Sequence, residues 1–517
     1  MLRLILSSNI WTGTGRQIDG IIVEGATILW VGERTELGEP GSDMEVMDLG
    51  SAFVCPGLVD SHVHLIETGI NLSGCNLRDL TSIPAIQAKL AECKSNNVII
   101  ASGYDDSILA EKRFLTTADL DAAVSDRPVF VVRRDGHSCV LNSKALAEIE
   151  LDPATPGIER DATGNMTGVM RAKANSQVRA IWHKMISDEE KLAGCIKVAL
   201  AVHKRGVTGV HALEGGWFGG DTDVDLMLLR RSEIPLELTI YHQIMDVAAV
   251  ACQGLPRIGG CILLDGSFGS RTAALDHPYD DGNGDGLLYV EDEKLHKMVW
   301  EASARGMQCA VHAIGERAID QAITIYEKAA GESACHKLRH RIEHFELPRP
   351  EHLEKVSKLG ITVSMQPAFE YLWGGAGRMY ESRLGPDWRK KTNPFRSILD
   401  AGIRVAFGSD SDITPLDPLL GMRAACNHPT PEQSVKPIEA LRAYTLDSAL
   451  LSRREDEVGI LEPGFRSDIT VLAQSPLEIP SSQIADLPVL MTMVGGEIMW
   501  MADSVKDKSG EQKITRS

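Results

Sequence analysis

The sequence has no CxxC pair, no surplus of basic residues and no apolar run long enough to cross a membrane, and each absence removes a class of function. Its ten cysteines (Cys55, Cys75, Cys93, Cys139, Cys195, Cys252, Cys261, Cys309, Cys335 and Cys426) are scattered. They read as reduced thiols in a reducing compartment, not as a disulfide framework. A net charge of −19 repels phosphate backbones and anionic lipid, so neither nucleic acid nor membrane is expected as a partner. The N-terminal stretch MLRLILSSNIW has neither the apolar core nor the small-residue cleavage site of a signal peptide, which makes the cytoplasm the expected compartment.

What is present is an ordinary globular composition, 43% hydrophobic and 24% charged, spread over 517 residues. That length exceeds what one hydrophobic core organises, so a large domain and a smaller one are expected. Residues 1–50 alternate short β-rich runs (LRLILSS, GIIVEGA, TILWVG) with Gly, Asn and Asp turns, the pattern of a small antiparallel sheet. GILEPGFRSDITVLA (459–473) and VLMTMVGGEIMW (489–500) share that texture. Each piece is too small to be stable alone, so residues 1–55 and 450–505 are expected to form one composite β-domain, a small β-sandwich, followed by a frayed tail at 506–517.

Between them, over 56–449, apolar β-rich runs alternate with longer helical patterns: RPVFVVRR, VTGVHAL, IPLELTIYH, GCILLDG, QCAVHAI, RHRIEHF, ITVSMQP and RVAFGSD. About eight such repeats make an α/β fold of the TIM-like (β/α)8 barrel type, with its active site at the carboxyl ends of the strands. Residues of about 70–190 are too many for one loop and are expected to be an insertion over the barrel mouth.

In VCPGLVDSHVHL, His62 and His64 lie two apart at the end of an apolar strand, which puts both rings on one face. His312 (QCAVHAIGER), His344 (RHRIEHFE) and Asp410 (RVAFGSDSD) end three further strands. Any one of these alone reads as a buried residue satisfied by hydrogen bonds. Four imidazoles and a carboxylate at one height of a barrel cost desolvation with no packing return, which points to a metal site.

The ordered motifs PGLVDSHVH (56–64), RRDGHSCVLNSKAL (133–146), DGSFGSRTAAL (265–275), VHAIGER (311–317), RHRIEH (339–344), AFGSDSDITPLDPL (406–419) and LEPGFRSDITVL (461–472) resemble the amidohydrolase superfamily, specifically amidohydrolase family 3, across nearly the whole chain. The resemblance implies that His62, His64, His312 and His344 bind metal and that Asp410 is both ligand and proton carrier. It also places His137 near the mouth as an oxyanion donor and substrate contact. The pattern departs in one place: where the family often has a lysine before the DGS segment, this chain has Cys261 in GCILLDGS. Cys261 as a thiolate ligand, another carboxylate, for which Glu214 in VTGVHALEGG is the candidate, or a mononuclear site are the three readings. One or two divalent cations are therefore expected, zinc foremost, with iron, manganese, cobalt and nickel also suited to such ligands.

GYDDS (103–107) and GGWFGG (215–220) set Tyr104 and Trp217 among glycines, as substrate-lining loops or as turns with packed rings. Asp265 and Arg271 are expected to pair within their loop, and His340 to support His344. The expected reaction on a small molecule is metal-dependent hydrolysis of an amide, formamide, cyclic imide or related N-acyl C–N bond, with Asp410 moving the proton. Heterocycle deamination is the alternative, weakened because Gly315 stands at the helper offset from His312 and Glu316 one residue beyond it. A non-catalytic metal-holding scaffold is the third reading. Barrels of this type often dimerise, but no sequence feature locates an interface.

Overall fold

The structure is a computed structural model that describes residues 2–37, 41, 44–93, 98–216, 219–220, 222–282 and 284–505. The tail expected to fray at 506–517 and Trp217 lie outside the described residues. Eight parallel strands organise the centre: β1 (Leu58–Val63), β2 (Val207–Glu214), β3 (Glu237–His242), β4 (Arg257–Leu263), β5 (Gln308–Ala313), β6 (Arg341–His344), β7 (Thr362–Met365) and β8 (Val405–Phe407). Apart from Val59 and Glu237 every residue in them is buried, as expected of parallel strands covered by helices on one side and packed against one another on the other.

These strands form two ladders, β3-β2-β1 and β4-β5-β6-β7-β8, so the closed barrel expected from the sequence is not seen as one continuous ladder among the described residues. At one seam, between β3 and β4, the β4 backbone is irregular. Gly259 and Gly260 in β4 adopt φ of +93° and +103°, and a Cβ on Gly259 would sit 2.0 Å from the Ala310 carbonyl oxygen. Only glycine is at ease there, and the β4–β5 register shifts between Gly259 and Leu263. The Gln243 side chain spans the gap, its Nε2 donating to the Leu213 and Gly215 carbonyls at 3.0 Å and its Oε1 accepting from Cys261 N at 3.0 Å. At the other seam Val63 and Ser411 form an isolated parallel bridge, and Asp410 N donates to the His62 carbonyl at 2.8 Å.

RPVFVVRR was expected among the eight strands, but Val129–Arg133 belongs to a separate six-stranded sheet with Cys75–Asn76, Ile99–Tyr104, Ser138–Leu141, Ile158–Arg160 and Met166–Arg171. Its apolar run is buried by helices of the inserted segment, a texture indistinguishable locally from a central strand. Cys75 and Cys93 in this segment form a disulfide with Cα atoms 6.3 Å apart, which corrects the expectation of ten free thiols. At the chain ends, Leu2–Leu6 pairs antiparallel with Gly20–Glu24 but parallel with Met44–Asp48, so the first sheet is mixed, not antiparallel. A second sheet joins Asn9–Ile10 and Phe53–Pro56 to Ile469–Leu472, Val489–Val494 and Glu497–Met501, and the two sheets share an apolar core that includes Ile5, Ile21, Val54, Val471 and Met491.

Helix α1 (Leu65–Ser73) starts directly after His64 and crosses α2 (Asp188–Val202) where two glycines meet. A Cβ on Gly69 would lie 2.5 Å from the Gly194 carbonyl carbon. Gly69→Ala is therefore expected to destabilise the fold by about 1–3 kcal/mol through overpacking, read as a lower denaturation midpoint. An unchanged midpoint would show that the helices separate without cost.

Candidate metal centre

The ends of four strands (β1, β4, β5 and β6) and the turn after β8 converge on one buried cluster. His62 Nε2 lies 3.3 Å from both Cys261 Sγ and Asp410 Oδ1, and His64 Nε2 lies 3.3 Å from the same carboxylate oxygen. Cys261 Sγ is 3.8 Å from His344 Nε2 and 4.0 Å from His312 Nδ1. Three overlapping donor sets result, His62/His64/Cys261, Cys261/His312/His344 and His62/His344/Asp410, each with its ligating atoms within 4.8 Å of one another.

Backbone geometry explains how two of these side chains arrive. Along β6, Arg341 and Glu343 face the interior, where they meet His211 and His62, while Ile342 packs into the outer apolar core. Strict alternation would send His344 outward with Ile342. Its φ of +70° breaks the alternation and turns the imidazole back into the cluster. Asp410 is also left-handed, at φ +54°. Such conformations cost roughly 1–2 kcal/mol per non-glycine residue and persist where the surroundings impose them. His340, on the outer face, stacks on Tyr326 and its Nδ1 accepts from Cys309 N; it does not support His344 as the sequence reading expected.

A second layer fixes the tautomers. His64 Nδ1 lies 2.8 Å from the Leu213 carbonyl and must donate, which leaves Nε2 with its lone pair toward the cluster. His62 Nδ1 donates in the same way to Glu343 Oε2 at 2.8 Å, and Arg341 Nη2 holds that carboxylate at 2.7 Å. His312 is reversed: Nε2 faces the Gly266 carbonyl at 3.2 Å and Nδ1 faces Cys261. Each of these three rings thus presents an unprotonated nitrogen when neutral, as metal coordination requires.

The electrostatics agree. Burial opposes ionisation of Cys261, but the charge of His62 and hydrogen bonds from His312, His344 and His62 outweigh it and hold the thiol well below its ordinary value. Burial likewise opposes charge on Asp410, yet His62 and His64 hold it well below the usual carboxylate range. In return, against burial, bonds to Asp410 and Cys261 push His64, and bonds to Asp265 and Cys261 push His312, up to about 10. The thiolate and carboxylate demand positive charge, which divalent cations would supply while leaving the imidazoles neutral as ligands. The donor set therefore fits a metal.

Between the two candidates for the extra ligand, the structure brings Cys261 into the cluster and turns Glu214 away. Glu214 Oε1 accepts from Leu65 N at 2.6 Å and Ile66 N at 3.4 Å at the start of α1, and burial pushes its carboxyl up to about 8. His137 lines the cavity above the cluster, its ring 6.1 Å from that of His312, and burial pushes it down to about 4. Tyr104, expected at the substrate, is instead fully buried in the core of the inserted sheet with its ring edge-on to Phe114. It lies on a strand whose neighbours cover it on both faces. Asp265 does not pair with Arg271: it accepts from Ala274 N, Ile314 N and Gly315 N, and Arg271 pairs with Asp281.

The cluster floors a cavity open to solvent. Phe268, Ile314, Phe369, Trp373 and Ile413 make an apolar wall, and Arg133, Arg134, Asp135, Glu67 and Arg179 a polar one. Arg133–Asp135 lie in a motif the sequence reading quoted without assigning them roles. Glu67 and Arg179, paired at 2.8 Å but 112 positions apart, carry no local signal.

The sequence profile of the amidohydrolase family matches residues 45–499. The chain belongs to the amidohydrolase family. It is 27% identical to N-substituted formamide deformylase of Arthrobacter pascens, over 96% of this chain and 98% of that protein, and 28% identical to the protein LONG AFTER FAR-RED 3 of Arabidopsis thaliana, over 93% and 88%. Among solved structures it is similar to an uncharacterized metal-dependent hydrolase from Pyrococcus furiosus, with 28% identity, a TM-score of 0.74 and coverage of 92% and 100%. Family and neighbours together mark this amidohydrolase-family chain as a hydrolase of mixed α/β fold.

Metal analysis of protein purified without chelators tests the ligand assignment. Cys261→Ala is expected to hold fewer cations per chain than the wild type, and Glu214→Gln the wild-type number. Full metal in Cys261→Ala, or loss confined to Glu214→Gln, would reverse the assignment.

Proposed function

We propose that this amidohydrolase-family protein hydrolyses the C–N bond of a small N-acyl compound, a formamide, amide or cyclic imide, using two divalent cations. The observation that carries the reading is the sharing of Cys261 Sγ by two donor triads at the floor of one cavity. His62, His64 and Asp410 would hold one cation and His312 and His344 the other, with Cys261 as the shared ligand in the place where family members often carry a lysine. Imidazole with thiolate suits zinc first, then iron, cobalt, nickel and manganese. The full-length likeness to a formamide deformylase supports a C–N bond as target.

When bound, divalent cations lower the pKa of coordinated water toward 7 and polarise a carbonyl. The remaining work falls to side chains. Asp410, 7% exposed and lining the cavity, accepts the proton of the attacking water and returns it to the departing nitrogen, without which an amide nitrogen leaves poorly. His137, held neutral at physiological pH by burial, offers a ring N–H to the oxyanion of the tetrahedral intermediate. Phe369 and Ile413 pack the apolar part of the substrate and exclude water. Glu316, the nearest carboxylate to a deaminase helper position, accepts from Asp276 N at 3.4 Å and does not line the cavity, which disfavours deamination.

The eight strands in consecutive order, with Val63 bridged to Ser411, fit a (β/α)8 barrel spanning 56–449 whose ladder is interrupted at two seams. The sheets drawn from both chain ends fit a composite unit of 1–55 and 450–505, and the six-stranded sheet an insertion of about 70–190 over the mouth.

Metal-reconstituted enzyme is expected to hydrolyse at least one of a panel of N-substituted formamides, acetamides and cyclic imides, read as free amine from the first two and as the ring-opened half-amide from the imides; no turnover of any would overturn the reading. Asp410→Asn should lower kcat by about 10²–10⁴-fold. His137→Phe should lower it by about 10²–10³-fold with metal content unchanged. Full activity in either variant would remove that residue from the mechanism.

A further inference from the structure

Among the described residues, arginines in and beside the cavity are paired with carboxylates, Arg134 excepted. Arg133 is held by Asp106 at 2.6 Å, Asp135 at 2.8 Å and Asp105 at 3.4 Å, Arg179 by Glu67 at 2.8 Å, and Arg78 by Asp412 at 3.4 Å. Arg134 lines the same cavity, half-buried, and no acidic side chain among the described residues forms an ion pair with it. Its Nε is buried without a hydrogen-bond partner. A half-buried guanidinium outside any ion pair favours an anion beside it, and its planar fork matches a carboxylate.

The surroundings say where that anion would sit in a substrate. The Arg134 guanidinium carbon lies 5.7 Å from the centroid of the Trp373 ring, Trp373 meets Phe369 at 4.9 Å, and Phe369 stacks at 6.1 Å on His344 of the metal cluster. An aromatic path two rings long therefore connects the ligand cluster to the unmatched guanidinium. Burial, then the charges of Arg78 and Arg133, push Arg134 below its ordinary value against the weaker pull of Asp105 and Asp79, and an anion beside it would reverse that.

We propose that Arg134 anchors a carboxylate on the substrate, separated from the scissile C–N bond by an apolar spacer lying along Phe369 and Trp373. This rests on the C–N hydrolase reading above and narrows it from N-acyl compounds in general to acidic ones with a remote anionic end. The charge partner selects the substrate, and the rings set the length and apolar character of the spacer.

The test compares two acids, 4-(formamidomethyl)benzoate and N-formyl-8-aminooctanoate, with their primary amides, using metal-loaded wild type and Arg134→Met. In at least one pair the wild type is expected to favour the acid by tenfold or more in kcat/KM, mostly through KM. Arg134→Met should lose at least tenfold more on that acid than on its amide. Equal losses on acid and amide, or a wild type without preference, would overturn the proposal and leave Arg134 a packing residue against Trp373. Calorimetry with 4-methylbenzoate and octanoate separates the two claims. Weaker binding of either carboxylate to Arg134→Met, with metal content retained and no formamide turned over, would uphold the anion site while the C–N reading falls. Identical carboxylate binding by both proteins would sink the anion site whatever the turnover.

Discussion

Everything in the functional end of this molecule depends on one electrostatic constraint: a thiolate, a carboxylate and four imidazoles are buried within a few ångströms of one another. No such group of donors is stable in a protein interior without positive charge among them. The two anions pull protons onto His62 and His64 when nothing else supplies that charge. Cations satisfy the same demand and free the imidazoles to ligate. The cluster is at once the most costly feature of the interior and the one with the clearest chemical purpose.

The fold meets this constraint through backbone exceptions, not ideal strands. Cys261 enters because β4 bulges at Gly259 and Gly260, His344 because β6 ends in a left-handed residue, and Asp410 because the turn after β8 is left-handed and hydrogen-bonded to the end of β1. The fully buried Arg341–Glu343 pair then locks His62 by its far nitrogen, an arrangement whose disruption from one side typically costs about 3–5 kcal/mol. Strain and buried charge are thus concentrated around one point, where the rest of the interior, apolar and well packed, holds them in place.

Much of this was legible in the sequence because its signals are short-range. An HxH at a strand end, and a histidine or aspartate closing each of three other apolar runs, need only strand periodicity to be recognised, and their convergence needs only strand order. What escaped depended on contacts between distant segments or on backbone angles. The choice between Cys261 and Glu214 turns on which side chain caps α1, the outward-facing His340 on the break in alternation at His344, and the mixed first sheet on pairing between residues some forty positions apart. RPVFVVRR has the composition of a central strand yet lies in the inserted sheet, because helices of the insertion bury it as thoroughly. Tyr104 looked like a loop aromatic among glycines and is a core residue for the same reason.

Anomalous diffraction at the absorption edge of the metal bound in chelator-free crystals tests the central claim most directly. The account predicts two peaks flanking Cys261, each about 2.3 Å from its sulfur if the metal is zinc, one beside His62, His64 and Asp410 and the other beside His312 and His344. No peak within the cluster, or a single peak out of reach of Cys261, would contradict it.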